Sequence, residues 1–131
     1  MRAITKHVIH CSDSTFGDAK TIRIWHKERG FRDIGYHFVI RPDGEIELGR
    51  MIYEIGAHAK GHNTASVGTC LIGKGGRFSD AQFAVLTRLH KNLLAQFPGI
   101  SAVGHCELNG HKTCPDFDVR KFFSNMMEGR G

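Results

Sequence analysis

The chain has 131 residues, enough for one domain with its own core and too few for two ordinary ones. Hydrophobic residues make up 40% and charged residues 24%, which excludes a disordered or fibrous chain. Eighteen Lys and Arg against 13 Asp and Glu leave a net charge of +5, which favours polyanionic partners: nucleic acid, an anionic membrane or a charged cell wall.

The first residues, Met1-Arg2-Ala3-Ile4-Thr5-Lys6-His7-Val8-Ile9-His10, are interrupted by Lys6, His7 and His10. A secretory signal needs an unbroken apolar stretch there, so a cytoplasmic product without a signal peptide is expected, reaching any outer site by another agent's help. Ile4 to Cys11 reads as a strand, with Val8 and His10 on one face and Ile9 and Cys11 on the other. Thr21 to Arg29 reads as a helix stopped by Gly30, with Ile22 and Trp25 inward and Ile24 a further inward candidate. His37 to Arg41 and Glu45 to Leu48 form a hairpin around Pro42-Asp43-Gly44. Gly56 to Asn63 is small and polar, a loop of functional type. Val67 to Ile72 suits a strand buried on both faces, and Gly73 to Gly76 turns the chain. Ser79 to Phe97 is the clearest helix: Ser79 and Gln82 make a capping box, and Phe83, Leu86, Leu89, Leu93, Leu94 and Phe97 share a face. Ser101 to His105 is a short strand and Cys106 to Cys114 a loop. The last helix runs from Asp118 to Met127 with Phe122, Phe123 and Met126 as its apolar side. This order predicts a single α/β domain over residues 1–131, a central mixed sheet flanked by helices. No run of about 18 apolar residues occurs and mean hydropathy is −0.27, so no membrane insertion is expected.

Nine histidines and four cysteines are the chemical signal. A chain in a reducing compartment uses cysteine for metal binding or burial rather than for disulfides. His10 and His105 each end a predicted strand, a common place for a ligand site in open α/β sheets. Cys114 follows in the next loop, before Pro115. Two imidazoles and one thiolate suit a catalytic zinc with an open fourth position. Spacing alone leaves Cys11, Cys106 and His111 as competitors, since adjacent His and Cys on a strand face opposite ways. Tyr36 offers a phenolic donor, and Lys112 lies two residues before Cys114. Trp25 and Cys70 read as core. Gly73, Lys74, Gly75 and Gly76 lack the spacing of a phosphate-binding loop.

The segments Val8-Ile9-His10-Cys11-Ser12, Ile24-Trp25-His26-Lys27-Glu28, Gly35-Tyr36-His37-Phe38-Val39-Ile40, Gly56-Ala57-His58-Ala59-Lys60-Gly61, Val67-Gly68-Thr69-Cys70-Leu71-Ile72-Gly73, Gly104-His105 and Lys112-Thr113-Cys114-Pro115-Asp116-Phe117-Asp118 keep one order. Together they resemble the zinc-dependent N-acetylmuramoyl-L-alanine amidases of the amidase-2/peptidoglycan-recognition-protein superfamily, above all the small phage lysozyme-type endolysins. The resemblance implies one Zn²⁺ held by His10, His105 and Cys114, with Tyr36 and Lys112 catalytic. It places His58 and Asn63 against substrate. The implied reaction is metal-assisted hydrolysis of the amide between N-acetylmuramic acid and L-alanine, in a monomeric enzyme that stays in the host cytoplasm until it reaches the wall.

The family's recognition members commonly lack the ligand Cys, so Cys114 favours an enzyme over a binding module of the same fold. An N-terminal extension of some phage relatives is short or missing, and with it the basis for binding RNA polymerase, so that activity is not expected. The stretch between Gly73 and Ser79 is compact, and no separate wall-binding domain is expected. A nucleic-acid-binding regulator would need a localised basic face, and a structural zinc protein would need four ligands; neither stands out.

Overall fold

The computed structural model describes residues 2–127. Five strands form one sheet in the order β3-β2-β4-β1-β5: β1 (Lys6–Cys11), β2 (Phe38–Ile40), β3 (Ile46–Leu48), β4 (Ser66–Leu71) and β5 (Ser101–Gly104). β2, β4, β1 and β5 are mutually parallel, and only the β2–β3 hairpin is antiparallel. The mixed sheet is the expected one. Among the described residues four helices accompany it: α1 (Ala19–Glu28), α2 (Asp80–Gln96), α3 (His105–Leu108) and α4 (Val119–Met127).

The sheet separates two apolar layers. On one face Ile9, Ile40, Val67 and Leu71 meet Val85, Leu86, Leu89 and Leu93 of α2 and Val119 and Phe123 of α4. Full burial of each such side chain contributes roughly 1.5–3 kcal/mol. On the other face Val39, Cys70 and Ile72 meet Ala19 and Ile22 of α1, with Ile34 beneath and Trp25 packed against them. β4 is buried along its whole length, as its apolar run requires.

Helix starts follow their caps. Asp18 accepts from the Thr21 N–H and begins α1 two residues earlier than the sequence reading placed it. Ile24 is 51% exposed on α1, so only Ile22 and Trp25 of the three inward candidates pack. Ser79 and Gln82 form the expected capping box of α2, and the Gln82 amide also reaches the Ile40 and Ile72 carbonyls, tying helix to sheet.

One boundary differs in a way that matters. His105 does not end β5; it opens the single turn α3, where the sequence suggested strand and then loop. The Glu107 carboxylate reaches back to the Gly104 N–H at 2.6 Å and fixes that turn. The chain therefore bends over the carboxyl end of β1, and His105 with it.

Candidate metal centre

Parallel strands β1 and β5 are neighbours, and their carboxyl ends deliver His10 and the α3 turn to one place. The register pairs His10 with Cys70, so His10 lies on the α1 side of the sheet. The loop after α3 brings Cys114 back over the end of β1, where the Cys11 N–H donates to Cys114 Sγ at 2.8 Å. Ligand atoms of His10, His105 and Cys114 lie within 4.8 Å of one another, among the described residues the one such group of three or more. Cys11 contributes its backbone to this point. Cys106 gives its N–H to the Cys114 carbonyl at 2.9 Å, and His111 stays exposed on the groove rim.

The three side chains floor a groove of about 800 Å³. Lys60, Lys112 and Arg29 line it with the acids Asp13 and Asp116. The Gly73–Gly76 turn buttresses this end: Gly73 exchanges backbone bonds with Asp13 and Ser12 Oγ, and a Cβ at Gly76 would meet the Asp116 carbonyl at 2.7 Å.

Burial keeps the imidazoles neutral. Desolvation, then His58 and His105, hold His10 well below its ordinary 6.5. Desolvation and then the Lys112 ammonium lower His105. Neutral rings keep the lone pair a metal needs. The neighbouring Cys11 thiol and burial push the Cys114 thiol up, so it gives up its proton only when a cation replaces it. Two neutral nitrogens and one displaceable thiol proton, converging at one open groove floor, fit a zinc with a free coordination position.

His58 stands behind His10. Its Nδ1 is 2.9 Å from His10 Nε2 and its Nε2 is 3.2 Å from Ser66 Oγ. With His10 Nε2–H donating, His10 Nδ1 stays free as a lone pair. The His58 ring lies flat over Gly68, where any Cβ would come within 2.5 Å of it. The Asn63 side-chain oxygen accepts from the His58 and Ala59 N–H groups, both at 2.9 Å. Both residues line the groove, and both also build it. No spacing in the sequence announces this support; Gly68 inside a buried strand was its one visible trace.

Tyr36 lines the groove beside the floor, its ring 5.0 Å from that of His10. Desolvation raises its phenol well above the ordinary value, so it remains an O–H donor. Lys112 is exposed and also lines the groove. His26, which sequence reasoning did not single out, is also in the lining: its Nδ1 accepts from the Gly35 N–H at 2.9 Å, which fixes its proton on Nε2.

No described helix is long and apolar enough to cross a membrane. A family model for N-acetylmuramoyl-L-alanine amidase matches residues 1–117. The endolysin of Escherichia phage T7 is 41% identical over 125 residues, covering 88% of this chain and 82% of the relative. That of Enterobacteria phage T3 is 40% identical over 133 residues, with 93% and 87% covered. Among solved structures, the N-acetylmuramoyl-L-alanine amidase LysC from Clostridium intestinale URNW superposes with a TM-score of 0.88 at 25% identity, covering 99% of this chain and 88% of that one. Wild-type Drosophila PGRP-LB superposes with a TM-score of 0.81 at 26% identity, covering 99% and 84%. With the family model spanning most of the chain and relatives near 40% identity along nearly all of it, the chain belongs to the N-acetylmuramoyl-L-alanine amidase family.

Proposed function

We propose that this chain, an endolysin-type peptidoglycan amidase forming one domain over residues 1–131, works through a single zinc held by His10, His105 and Cys114. The convergence of those three ligand atoms within 4.8 Å carries the reading. The bond cut is the amide joining N-acetylmuramic acid to the L-alanine of the stem peptide. Zinc in that position supplies Lewis acidity and a water acidified toward a pKa of about 7.

The remaining work falls to side chains. The groove seats the glycan–peptide junction with its scissile carbonyl over the floor. The Lys112 ammonium in the groove lining donates to the carbonyl oxygen as negative charge builds there. Tyr36, kept protonated by burial, offers its O–H either to the same oxygen or to the leaving amine. His58 holds the His10 ring in one orientation and, with Asn63, shapes the wall that receives the peptide. Acidic wall polymers are drawn to a chain of charge +5. The protein acts as a monomer, held in the host cytoplasm until lysis.

The test uses purified peptidoglycan and the pair wild type and Cys114→Ser, with products identified by mass. The wild type releases stem peptides with a free L-alanine amine, and Cys114→Ser releases none while folding normally. Zinc binding with no amine released from any muropeptide would make the protein a recognition module.

A further inference from the structure

Arg2 has no motif around it and no carboxylate partner among the described residues. Its guanidinium is nevertheless turned inward. Nη1 donates to the carbonyls of Asn63 at 3.2 Å, Thr64 at 3.1 Å and Ser66 at 2.7 Å. Nη2 donates to the Ile52 carbonyl at 3.1 Å. Nε is buried with no partner at all. A planar fork can join two backbone stretches at once, which an ammonium cannot. The stretches joined here are the two ends of the segment that carries the groove loop.

What lies between them explains the consequence. His37 Nδ1 accepts from the Gly68 N–H, so its proton sits on Nε2 and goes to the Glu54 carbonyl at 2.7 Å. Arg2 Nη2, 3.0 Å from that same Nε2, therefore meets a donor and packs against the ring without bonding to it. The guanidinium is held by carbonyls alone. Two of those carbonyls belong to Asn63 and Ser66, the residues whose side chains grip His58, and His58 grips His10.

We propose that Arg2 is a positioning residue for the metal centre, clamping the ends of the groove loop so that Asn63 and Ser66 hold His58 against His10. The metal part of this proposal rests on His10 being a zinc ligand; the clamp itself does not. The segment has a second anchor, since Thr5 and Lys6 N–H groups donate to the Ala65 carbonyl. Loss of Arg2 should therefore loosen the loop and leave the sheet intact.

The experiment compares the full-length wild type with Arg2→Ala, Arg2→Lys and the control Arg41→Ala, a half-exposed cation at the hairpin paired with Asp43. Amide hydrogen exchange is read residue by residue, zinc affinity by chelator competition, and kcat and KM on a soluble muropeptide. In Arg2→Ala the His58 and Ala59 amides exchange about tenfold faster or more while β4 amides keep their protection. Zinc binds about tenfold more weakly, at the lower end of what losing a ligand's support costs, and kcat falls more than KM rises. Arg2→Lys behaves like Arg2→Ala, because charge without the fork does not bridge. Guanidinium chloride at low millimolar concentration restores Arg2→Ala and leaves Arg41→Ala unchanged. Unchanged exchange at His58 and Ala59, or acceleration of all amides together, overturns the clamp. A wild type that binds no zinc overturns the ligand reading, while the exchange data still decide the clamp.

Discussion

β1 carries two buried histidines on opposite faces, and their surroundings run closely parallel. His7 is 3.0 Å from His90 Nδ1 and 2.7 Å from Thr69 Oγ1. His10 Nε2 is 2.9 Å from Nδ1 of His58, whose Nε2 in turn meets Ser66 Oγ. In each pair a histidine backs a histidine and a β4 hydroxyl closes the chain. Desolvation, more than the neighbouring rings, depresses both His7 and His10 well below the ordinary value. The difference is what lies on the remaining side. Over His7, α2 supplies His90, itself packed on Phe123 with ring centres 4.5 Å apart, and the pair is sealed. Over His10 the groove opens instead, and there His105, at the start of α3, and Cys114 converge. A buried, hydrogen-bonded histidine is thus only half of a metal ligand. The other half is an open face on which further donors meet.

The sharpest break of that contrast is substitution at the two sites. Cys114→Ser or His10→Ala should lose zinc and activity by more than the about 10²-fold ceiling for losing a ligand's hydrogen-bond partner. His7→Ala should keep full zinc per folded molecule. Metal analysis beside peptide release reads both, and zinc lost from a folded His7→Ala would erase the distinction. Lys112→Ala comes next: in the proposed mechanism its ammonium acts on developing charge and not on the metal, so kcat should fall about 10²–10³-fold with zinc retained. If zinc leaves as well, Lys112 belongs to the binding site. On the sealed side, Thr69→Val strands His7 Nε2 without a partner. It should cost about 1–3 kcal/mol in denaturant unfolding and leave kcat/KM unchanged.

Two further buried rings, His26 in the groove lining and His37 behind it, tie stability to pH. Desolvation brings His37 and His26 down to about 4 from an ordinary 6.5. Above that ordinary value both folded and unfolded chains are neutral there, and the contribution is complete. Below it the unfolded chain takes up protons that the folded chain refuses, so stability falls as pH drops toward about 4. Metal-free protein should unfold at lower denaturant at about pH 5 than at about pH 7.5. An identical midpoint would mean that these rings charge within the fold.

The fold was largely legible because its signals are periodic. The buried run of β4, the alternation of β1 and the Ser79–Gln82 cap each follow from short-range chemistry. Ile24 and the α3 turn were not read correctly, for local reasons: two residues on from Ile22 an α-helix has turned its side chain to the opposite face, and a Glu107 back-bond, which the Gly-His-Cys-Glu order does carry, makes α3 a turn. Within the site, His10, His105 and Cys114 were nameable from family resemblance, while spacing alone left Cys11, Cys106 and His111 open. The fold brings the first three together because β1 and β5 are neighbours and α3 bends back. The grip of His58 on His10 left only Gly68 as a trace in the sequence, and that of Arg2 on the loop left none. Each depends on carbonyls and ring faces that only the packed chain places.

The most direct measurement is zinc content paired with turnover on the same purified protein. Zinc is counted per chain, and free L-alanine amines released from peptidoglycan are followed before chelation, after chelation and after Zn²⁺ is returned. The expected result is one zinc per chain, activity abolished by chelator and restored by Zn²⁺. Undiminished amine release from protein stripped of metal would contradict the assignment of His10, His105 and Cys114 as the centre of the reaction.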